Sequence, residues 1–189
     1  MTREQVYEAM RGKVIPVVTI TTISNIPNLA MHMHNNGIGI IEVTLRSDVA
    51  YDAIGSLSHV CPDILVGAGT VTRPKEVSRC VDAGAKFIVS PGFSRAIADE
   101  CMSREILYIP GVETATDIMN ALSAGIDFVK FFPAESSGGV AKLKALASPF
   151  RGVRFMPTGG IREDNVGEYL SLNEVHAVGG SFVIPRELL

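Results

Sequence analysis

The chain has little that would support a membrane-bound, secreted or nucleic-acid-binding protein. Tryptophan is absent from its 189 residues, and only 6% of them are aromatic. The formal net charge is -3, and no basic stripe carries interleaved aromatic residues, which argues against a nucleic-acid platform. No apolar stretch is long and uncharged enough to cross a membrane, and residues 1–13 mix charges where a signal peptide would have an apolar core.

Cysteine and histidine are also scarce, and neither predicts a cross-link or a metal site. The cysteines Cys61, Cys80 and Cys101 are odd in number, far apart and without a CxxC pair. We therefore expect reduced thiols in a cytoplasmic protein rather than disulfides. His32 and His34 lie two residues apart in a stretch that predicts a helix, where such side chains point to different sides. No bound metal is expected.

What the sequence does contain is a regular alternation of short apolar runs with amphipathic segments. Eight apolar runs predict buried parallel strands, at residues 14–20, 39–44, 64–68, 87–90, 107–109, 128–132, 153–156 and 175–178. Helical patterns lie between them, and Gly37, Gly84 and Gly125 are candidate helix C-caps. This pattern predicts one domain over residues 1–189, an α/β fold of the (β/α)8 TIM-barrel type.

A doubly wound open sheet is the competing fold, and it predicts one dominant glycine-rich turn after the first strand. Residues 21–24, which follow the first predicted strand, contain no glycine, whereas special residues follow many of the other strands. This favours the barrel. The usual last helix is missing, because only residues 182–189 follow the motif Gly179-Gly180-Ser181. We expect that the natural chain continues beyond this sequence or that a neighbouring subunit covers that face.

One charged residue interrupts the apolar run at residues 128–132. This residue is Lys130, and Pro133 ends the run. An ammonium group in a buried strand is costly unless it is paired or deprotonated. Burial lowers the pKa of an amine toward the range in which lysines form Schiff bases. Lys130 is therefore a candidate nucleophile; the alternatives are a lysine that reaches the barrel rim or one that neutralises a structural carboxylate.

Polar side chains also mark the ends of the second and third predicted strands. Glu42, Thr44 and Arg46 recur with a period of two, so they share one side of the second strand. Glu42 is a natural general acid or base and Arg46 a natural clamp for a carboxylate, the alternative being a purely structural pair. Thr70, in the motif Gly-Ala-Gly-Thr, offers a hydroxyl at the same end of the predicted barrel.

Two glycine pairs follow the last two predicted strands. One lies in Thr158-Gly159-Gly160 and the other in Gly179-Gly180-Ser181. Backbone N–H groups of a glycine pair and of a following helix start bind anions readily. The loops after the seventh and eighth strands are the usual phosphate position in this fold. The sequence therefore predicts that one end of the substrate is a phosphate.

A single kind of substrate suits the amine, the carboxylate, the arginine with its threonine, and the anion site. It is a 2-keto acid that carries a phosphate at its far end. The amine would attack the ketone, and the resulting iminium would accept the electrons of the C3–C4 bond as this bond breaks. Glu42 would move protons to and from the C4 hydroxyl and the carbinolamine.

These residues resemble those of the 2-keto-3-deoxy-6-phosphogluconate (KDPG) aldolase and 4-hydroxy-2-oxoglutarate aldolase family. The matching stretches, nearly all at predicted strand ends, are IEVTLRS, VGAGTV, FIVSPG, YIPGVET, FVKFFPAE, FMPTGGI and VGGS. The resemblance implies a (β/α)8 barrel that is usually a homotrimer and needs neither metal nor another cofactor. It implies cleavage of KDPG to pyruvate and glyceraldehyde 3-phosphate, with cleavage of 4-hydroxy-2-oxoglutarate to pyruvate and glyoxylate as a second activity.

The resemblance also implies a role for each matching residue. Lys130 matches the Schiff-base lysine and Glu42 the general acid and base. Arg46 and Thr70 match the contacts to the pyruvate carboxylate, and Pro91 matches a proline that walls the site. The residues that match the region of the distal phosphate are Thr158, Gly159, Gly160, Gly180 and Ser181.

Two other functions stay open at this stage. One is a sugar-phosphate isomerase or epimerase that uses Glu42 without covalent catalysis. The other is a non-catalytic barrel that binds a keto acid or a phosphate.

Overall fold

All strand pairs in the structure are parallel, and helices alternate with the strands along the chain. The computed structural model describes all 189 residues. The strands are β1 (Val14–Val18), β2 (Ile40–Thr44), β3 (Leu65–Gly69), β4 (Phe87–Val89), β5 (Leu107–Ile109), β6 (Gly111–Val112), β7 (Phe128–Phe131), β8 (Arg154–Phe155) and β9 (Val178–Gly180). The α-helices are α1 (Arg3–Met10), α2 (Ile26–Asn35), α3 (Ala50–Val60), α4 (Pro74–Asp82), α5 (Arg95–Ser103), α6 (Ala115–Ser123), α7 (Gly139–Ala147) and α8 (Val166–Leu170). None of these helices is long and apolar enough to span a membrane.

The strands form two sheets, so the expectation of a closed (β/α)8 TIM barrel is wrong. Six strands form a curled half-barrel in the order β5-β4-β3-β2-β1-β9, and three form a small second sheet in the order β6-β7-β8. Pro110 separates β5 from β6 and has no N–H for a sheet hydrogen bond. Between β8 and β9 only two isolated bridges form, Phe155 to Val175 and Thr158 to Gly179. The ladder of strand pairs is therefore interrupted at both places.

Most predicted strands contain an observed strand, but the last prediction is displaced. The run at 175–178 contributes only Val178 to β9, which continues through Gly180. Val175 forms one isolated bridge instead. The two-residue strand β6 was not predicted, because Pro110 interrupts the pattern that the sequence offers.

Side-chain caps explain where several helices begin. The Thr114 hydroxyl accepts a hydrogen bond from the N–H of Asp117 (3.2 Å), and the Asp117 carboxylate accepts one from the N–H of Thr114 (2.9 Å). This reciprocal capping box satisfies N–H groups that the first turn of α6 leaves free. Ser94 caps α5 in a simpler way, by accepting from the N–H of Ile97. Local polar residues thus fix the helix starts between the strands.

Strand β2 shows how the packing aims polar side chains at the interior of the half-barrel. All five of its residues are buried, as expected for a parallel strand that is covered on both faces. Ile41 and Val43 belong to the largest apolar cluster, together with residues of α2 and α3. Because side chains alternate along a strand, Glu42 and Thr44 point to the opposite face. Because Ile41 and Val43 pack against α2 and α3, Glu42 and Thr44 face the interior of the half-barrel.

The last residues of the chain pack beside the end of β1. A 3-10 helix spans Arg186–Leu188. The Thr21 hydroxyl donates to the Leu189 carbonyl (3.0 Å), and the Asn25 amide donates to the Glu187 carbonyl (3.3 Å). Ile184 is buried in the same apolar cluster as β2. This segment thereby forms part of one end of the half-barrel.

At the other end, α1 is held by a buried histidine. The His176 ring stacks on Tyr7 at 3.8 Å between centroids and meets Phe128 edge-on at 5.1 Å. Its Nε2 lies 2.8 Å from the Tyr7 carbonyl, whereas Nδ1 is buried and has no hydrogen-bond partner. Burial lowers the pKa of His176, aided by Arg11 and Arg154 and opposed by the Tyr7 carbonyl and Glu8. The neutral ring, donating through Nε2, is the form that fits this site.

We predict that His176 makes the fold sensitive to mild acid. The folded protein binds this proton less tightly than the unfolded chain, so the free energy of unfolding should fall as the pH drops below the ordinary histidine pKa of about 6.5. His176→Gln keeps a donor for the Tyr7 carbonyl but cannot titrate. Its free energy of unfolding should therefore change less with pH in this range. Urea unfolding at a series of pH values measures the effect.

The exposed His59 provides the control. His59→Gln should keep the pH profile of the unmodified protein. A profile that His176→Gln leaves unchanged would contradict the assignment.

Candidate active site

A lysine and a glutamate from opposite sides of the fold meet in the interior. Lys130 on β7 places its Nζ 3.4 Å from Oε1 of Glu42 on β2. Their side chains are only 6% and 1% exposed. The second carboxylate oxygen of Glu42, Oε2, is buried and has no hydrogen-bond partner. The pair therefore has an unused acceptor beside the amine, where a third group can bind.

Gly69, at the end of β3, gives the Glu42 carboxylate its space. A Cβ atom at Gly69 would overlap Glu42 Oε1 and lie 2.7 Å from Cγ and Cδ. No side chain is compatible with this contact. The group that closely approaches this end of β3 is therefore the carboxylate of the neighbouring strand.

Arg46 and Thr70 also come together, as their positions at neighbouring strand ends suggest. Arg46 Nε donates to the Thr70 hydroxyl at 3.2 Å. Thr70 has a φ of 60°, in the left-handed region, which is unfavourable for a β-branched residue. The hydrogen bond of Arg46 uses Nε and leaves both terminal nitrogens of the guanidinium without a protein partner. These nitrogens form the planar fork that suits a carboxylate.

The two glycine-pair loops border the same cavity as Lys130. This cavity has a volume of about 780 Å3, and its lining includes Arg46, Lys130, Thr158, Gly159, Gly160, Gly180 and Ser181. Gly159 and Gly160 have φ values of 101° and 77°, which turn the backbone sharply after β8. Helix α8 begins only at Val166, so no helix start follows this turn directly. Any anion site here therefore depends on the turn itself rather than on a helix N-terminus.

Several cavity residues were missed by the sequence patterns. The Thr19 and Thr44 hydroxyls lie 2.7 Å apart, and both residues line the cavity. Phe132 presents its ring 5.2 Å from Lys130 Nζ. Arg162 and Arg186 lie in the lining as well. Period-two alternation had already placed Thr44 on this face of β2, but nothing in the sequence pairs it with Thr19, which is 25 residues away.

Pro91 does not line the cavity. It contacts Gly111 of β6, the strand that pairs with β7, which carries Lys130. Its carbonyl oxygen occupies the place where a Cβ of Gly111 would stand. Gly111 pairs with Lys130 in the small sheet. The Ser90 hydroxyl fixes this turn by donating to the Gly92 carbonyl at 2.5 Å. In this structure Pro91 therefore shapes the wall behind Lys130 rather than the cavity surface.

A second cavity lies at the opposite end of the strands, under α1. It has a volume of about 940 Å3 and is lined by residues before β5, β7 and β8, among them Ile106, Asp127 and Gly152. It contains none of the predicted site residues, although it is the larger of the two. The smaller cavity is the candidate active site, because the lysine, the arginine and the glycine turns meet there.

These features define a class of enzyme. A buried amine next to a carboxylate, at the end of a parallel sheet, is the equipment of a Schiff-base enzyme that acts on a carbonyl compound. The glycine turns line the same cavity, and turns of this kind can bind an anionic group.

Comparison with known proteins identifies the family. The family model described as "Aldolase: KDPG and KHG aldolase" matches residues 6–189. The 2-dehydro-3-deoxy-phosphogluconate aldolase of Treponema pallidum is 44% identical over 183 residues, 96% of this chain and 87% of the relative. The KHG/KDPG aldolase of Escherichia coli K12 is 39% identical over 178 residues, 94% and 84% of the two chains. This chain belongs to the KDPG and KHG aldolase family.

A solved structure from the same family matches the fold closely. It is KDPG aldolase from Legionella pneumophila, with pyruvate captured at low pH as a covalent carbinolamine intermediate. It superposes with a TM-score of 0.93 at 41% identity, over 98% of this chain and 90% of that one.

The left-handed backbone at Thr70 predicts an unusual order of stabilities. Thr70→Gly should be more stable than Thr70→Ala by roughly 1 kcal/mol, because only glycine adopts a positive φ without steric cost. Both variants lose the same hydroxyl, so the comparison isolates the backbone. Chemical denaturation measures the difference.

The matched control is Thr72, whose φ is not positive. There the alanine variant should be the more stable of the two, as at an ordinary position. If Thr70→Ala were at least as stable as Thr70→Gly, the inference that the backbone at position 70 is strained would be wrong.

Proposed function

We propose that the protein is a class I aldolase that cleaves KDPG to pyruvate and glyceraldehyde 3-phosphate. The observation that carries the proposal is the buried Lys130 amine, 3.4 Å from the Glu42 carboxylate. Membership of the KDPG and KHG aldolase family supports it, as does the carbinolamine in the Legionella pneumophila relative. A carbinolamine is the product of an amine adding to a ketone, which is the first step proposed for Lys130.

In that step the neutral Lys130 amine attacks C2 of the keto acid. The new C–N bond forms as the carbonyl electrons move to oxygen, which takes from Glu42 the proton that the Lys130 ammonium gave up. Glu42 is placed to accept the proton that the nitrogen releases and to return it to the departing hydroxyl, so that water leaves and an iminium remains. Oε2 of Glu42 has no competing hydrogen bond, which leaves it free for these transfers.

In the second stage Glu42 removes the proton of the C4 hydroxyl. The C3–C4 bond breaks, its electrons move onto C3 and the iminium nitrogen, and glyceraldehyde 3-phosphate leaves as the aldehyde. The remaining enamine takes a proton at C3, and water releases pyruvate from Lys130. Atoms and charges balance without a metal or a redox cofactor.

Substrate binding divides between the two ends of the cavity. The free guanidinium nitrogens of Arg46 and the Thr70 hydroxyl bind the carboxylate next to the reacting ketone. Pro91 shapes the wall behind Lys130 through its contact with Gly111. The residues that bind the distal phosphate are Thr158, Gly159, Gly160, Gly180 and Ser181, which line the cavity beyond Lys130.

The same site accepts 4-hydroxy-2-oxoglutarate as a second substrate. Its far end is a carboxylate, an anion that backbone N–H groups bind as they bind a phosphate. The Escherichia coli K12 relative is named a KHG/KDPG aldolase. We also propose that the protein is cytoplasmic and forms a homotrimer, the oligomeric state that the family resemblance implies.

Substitution of the two central residues should affect turnover to different degrees. Lys130→Ala and Lys130→Arg should show no measurable cleavage of KDPG, because neither variant has an amine that can form an imine. Arginine keeps the positive charge beside Glu42, so it separates a catalytic loss from a folding defect. Glu42→Gln should lower kcat by about a hundredfold or more, since proton transfer is impaired. Coupled assays for pyruvate measure all three variants.

Lys142 serves as the matched control, because it pairs with Glu113 at the surface, 3.2 Å away. Lys142→Ala should keep normal turnover. Wild-type-like activity in folded Lys130→Arg would rule out covalent catalysis and favour a non-covalent sugar-phosphate enzyme.

The phosphate assignment makes a separate prediction. Thr158→Ala and Ser181→Ala should raise KM for KDPG several-fold, because each removes a hydroxyl at the proposed phosphate site. Both should leave KM for 2-keto-3-deoxygluconate, the same compound without phosphate, nearly unchanged. Steady-state kinetics on the two substrates measures the difference. Equal increases for both substrates would remove the phosphate assignment.

A further inference from the structure

One residue outside the cavity lining connects the lysine strand to the glycine turn. Glu135 lies in the turn that follows β7, five residues after Lys130. Its N–H donates to the carbonyl of Gly159 at 3.0 Å. The preceding N–H, from Ala134, donates to the carbonyl of Thr158 at 2.8 Å. The segment that carries the amine is thus bonded directly to the turn proposed to bind phosphate.

The side chain of Glu135 forms the floor of that turn. A Cβ atom at Gly160 would lie 2.6 Å from Glu135 Cβ and 2.9 Å from its Cγ. On the other side, a Cβ at Gly139 would lie 3.3 Å from Glu135 Oε1. The Glu135 side chain therefore runs from the glycine turn, which its stem contacts, to the first residue of α7, which its carboxylate contacts.

The carboxylate of Glu135 is oriented by a tyrosine of α8. The Tyr169 hydroxyl donates to Glu135 Oε1, and Tyr169 is fully buried. Burial and the adjacent Glu135 carboxylate raise the pKa of Tyr169, so its hydroxyl remains a donor at neutral pH. No lysine or arginine forms an ion pair with Glu135. Tyr169 is the only side chain that donates a hydrogen bond to this carboxylate.

A carboxylate in this position presents an electrostatic problem. The N–H groups of a glycine turn attract any nearby anion, and Glu135 contacts Gly160 through its own stem. If its carboxylate were free to turn, it would compete with a substrate phosphate and repel it. The hydrogen bond from Tyr169 holds the carboxylate on the α8 side.

We propose that Glu135 and Tyr169 are positioning residues for the phosphate site. The backbone and stem of Glu135 fix the Gly159–Gly160 turn relative to Lys130, and Tyr169 keeps the Glu135 carboxylate away from the bound phosphate. This inference rests on the proposed function, because it explains how that site sets the distance between the phosphate and the reacting carbonyl. Neither residue touches the reacting atoms.

The test compares Tyr169→Phe, Glu135→Gln and the double variant. Tyr169→Phe releases the carboxylate and should raise KM for KDPG about tenfold, with kcat and KM for 2-keto-3-deoxygluconate within about twofold. Glu135→Gln has no charge to release and should change KM for KDPG less than about threefold. In the double variant, the neutral amide should restore much of the affinity that Tyr169→Phe loses. A merely structural role would make the double variant worse than either single one.

Isothermal titration calorimetry measures the binding of inorganic phosphate directly and does not depend on turnover. Tyr169→Phe should weaken it, and the added Glu135→Gln should restore it. The matched control is Tyr108→Phe, which also loses a buried tyrosine hydroxyl, 2.7 Å from the Ser90 hydroxyl. It should lower the free energy of unfolding comparably without changing phosphate affinity.

Two results would overturn the inference. One is a double variant that binds phosphate no better than Tyr169→Phe. The other is a Tyr169→Phe variant that loses affinity equally for both sugar acids. Failure of the proposed function itself would be recognised separately, by wild-type protein that binds phosphate but does not cleave KDPG.

Discussion

Lys130 and Glu42 are buried together, with Nζ and Oε1 3.4 Å apart and almost no contact with solvent. Taking a charged side chain out of water costs several kcal/mol, and the attraction to a partner repays this only in part. A well-packed apolar pair would serve stability at least as well. The rest of the fold is arranged around this pair: the apolar helix-facing side of β2 directs Glu42 inward, and Gly69 leaves room for its carboxylate.

The chemistry proposed here uses the same features that make the pair costly. The Glu42 carboxylate lies beside the Lys130 amine, and its buried Oε2 has no hydrogen-bond partner within the protein, so it can exchange protons with a bound substrate. The amine and the glycine turn face one cavity of about 780 Å3, so a single small molecule can reach both. The bonds from Ala134 and Glu135 to Thr158 and Gly159 then couple the position of one end to that of the other.

Much of this site was predictable because its residues follow local rules. Lys130 is conspicuous within an apolar run, and the period-two spacing of Glu42, Thr44 and Arg46 places them on one face. The closed barrel was predicted wrongly, since strand closure depends on pairing between distant segments. A proline without an N–H interrupts the pairing next to β6. The Glu135 contact with Tyr169 spans 34 residues and leaves no periodic pattern in the sequence.

Covalent chemistry at Lys130 can be tested by reductive trapping of the imine that it forms with pyruvate. The folded protein would be treated with pyruvate and sodium borohydride, and the product examined by intact mass and peptide mapping. We expect one pyruvate-derived adduct per chain, located on Lys130 and absent from Lys130→Arg. No adduct on the folded protein, or an adduct on a different lysine, would contradict covalent chemistry at Lys130.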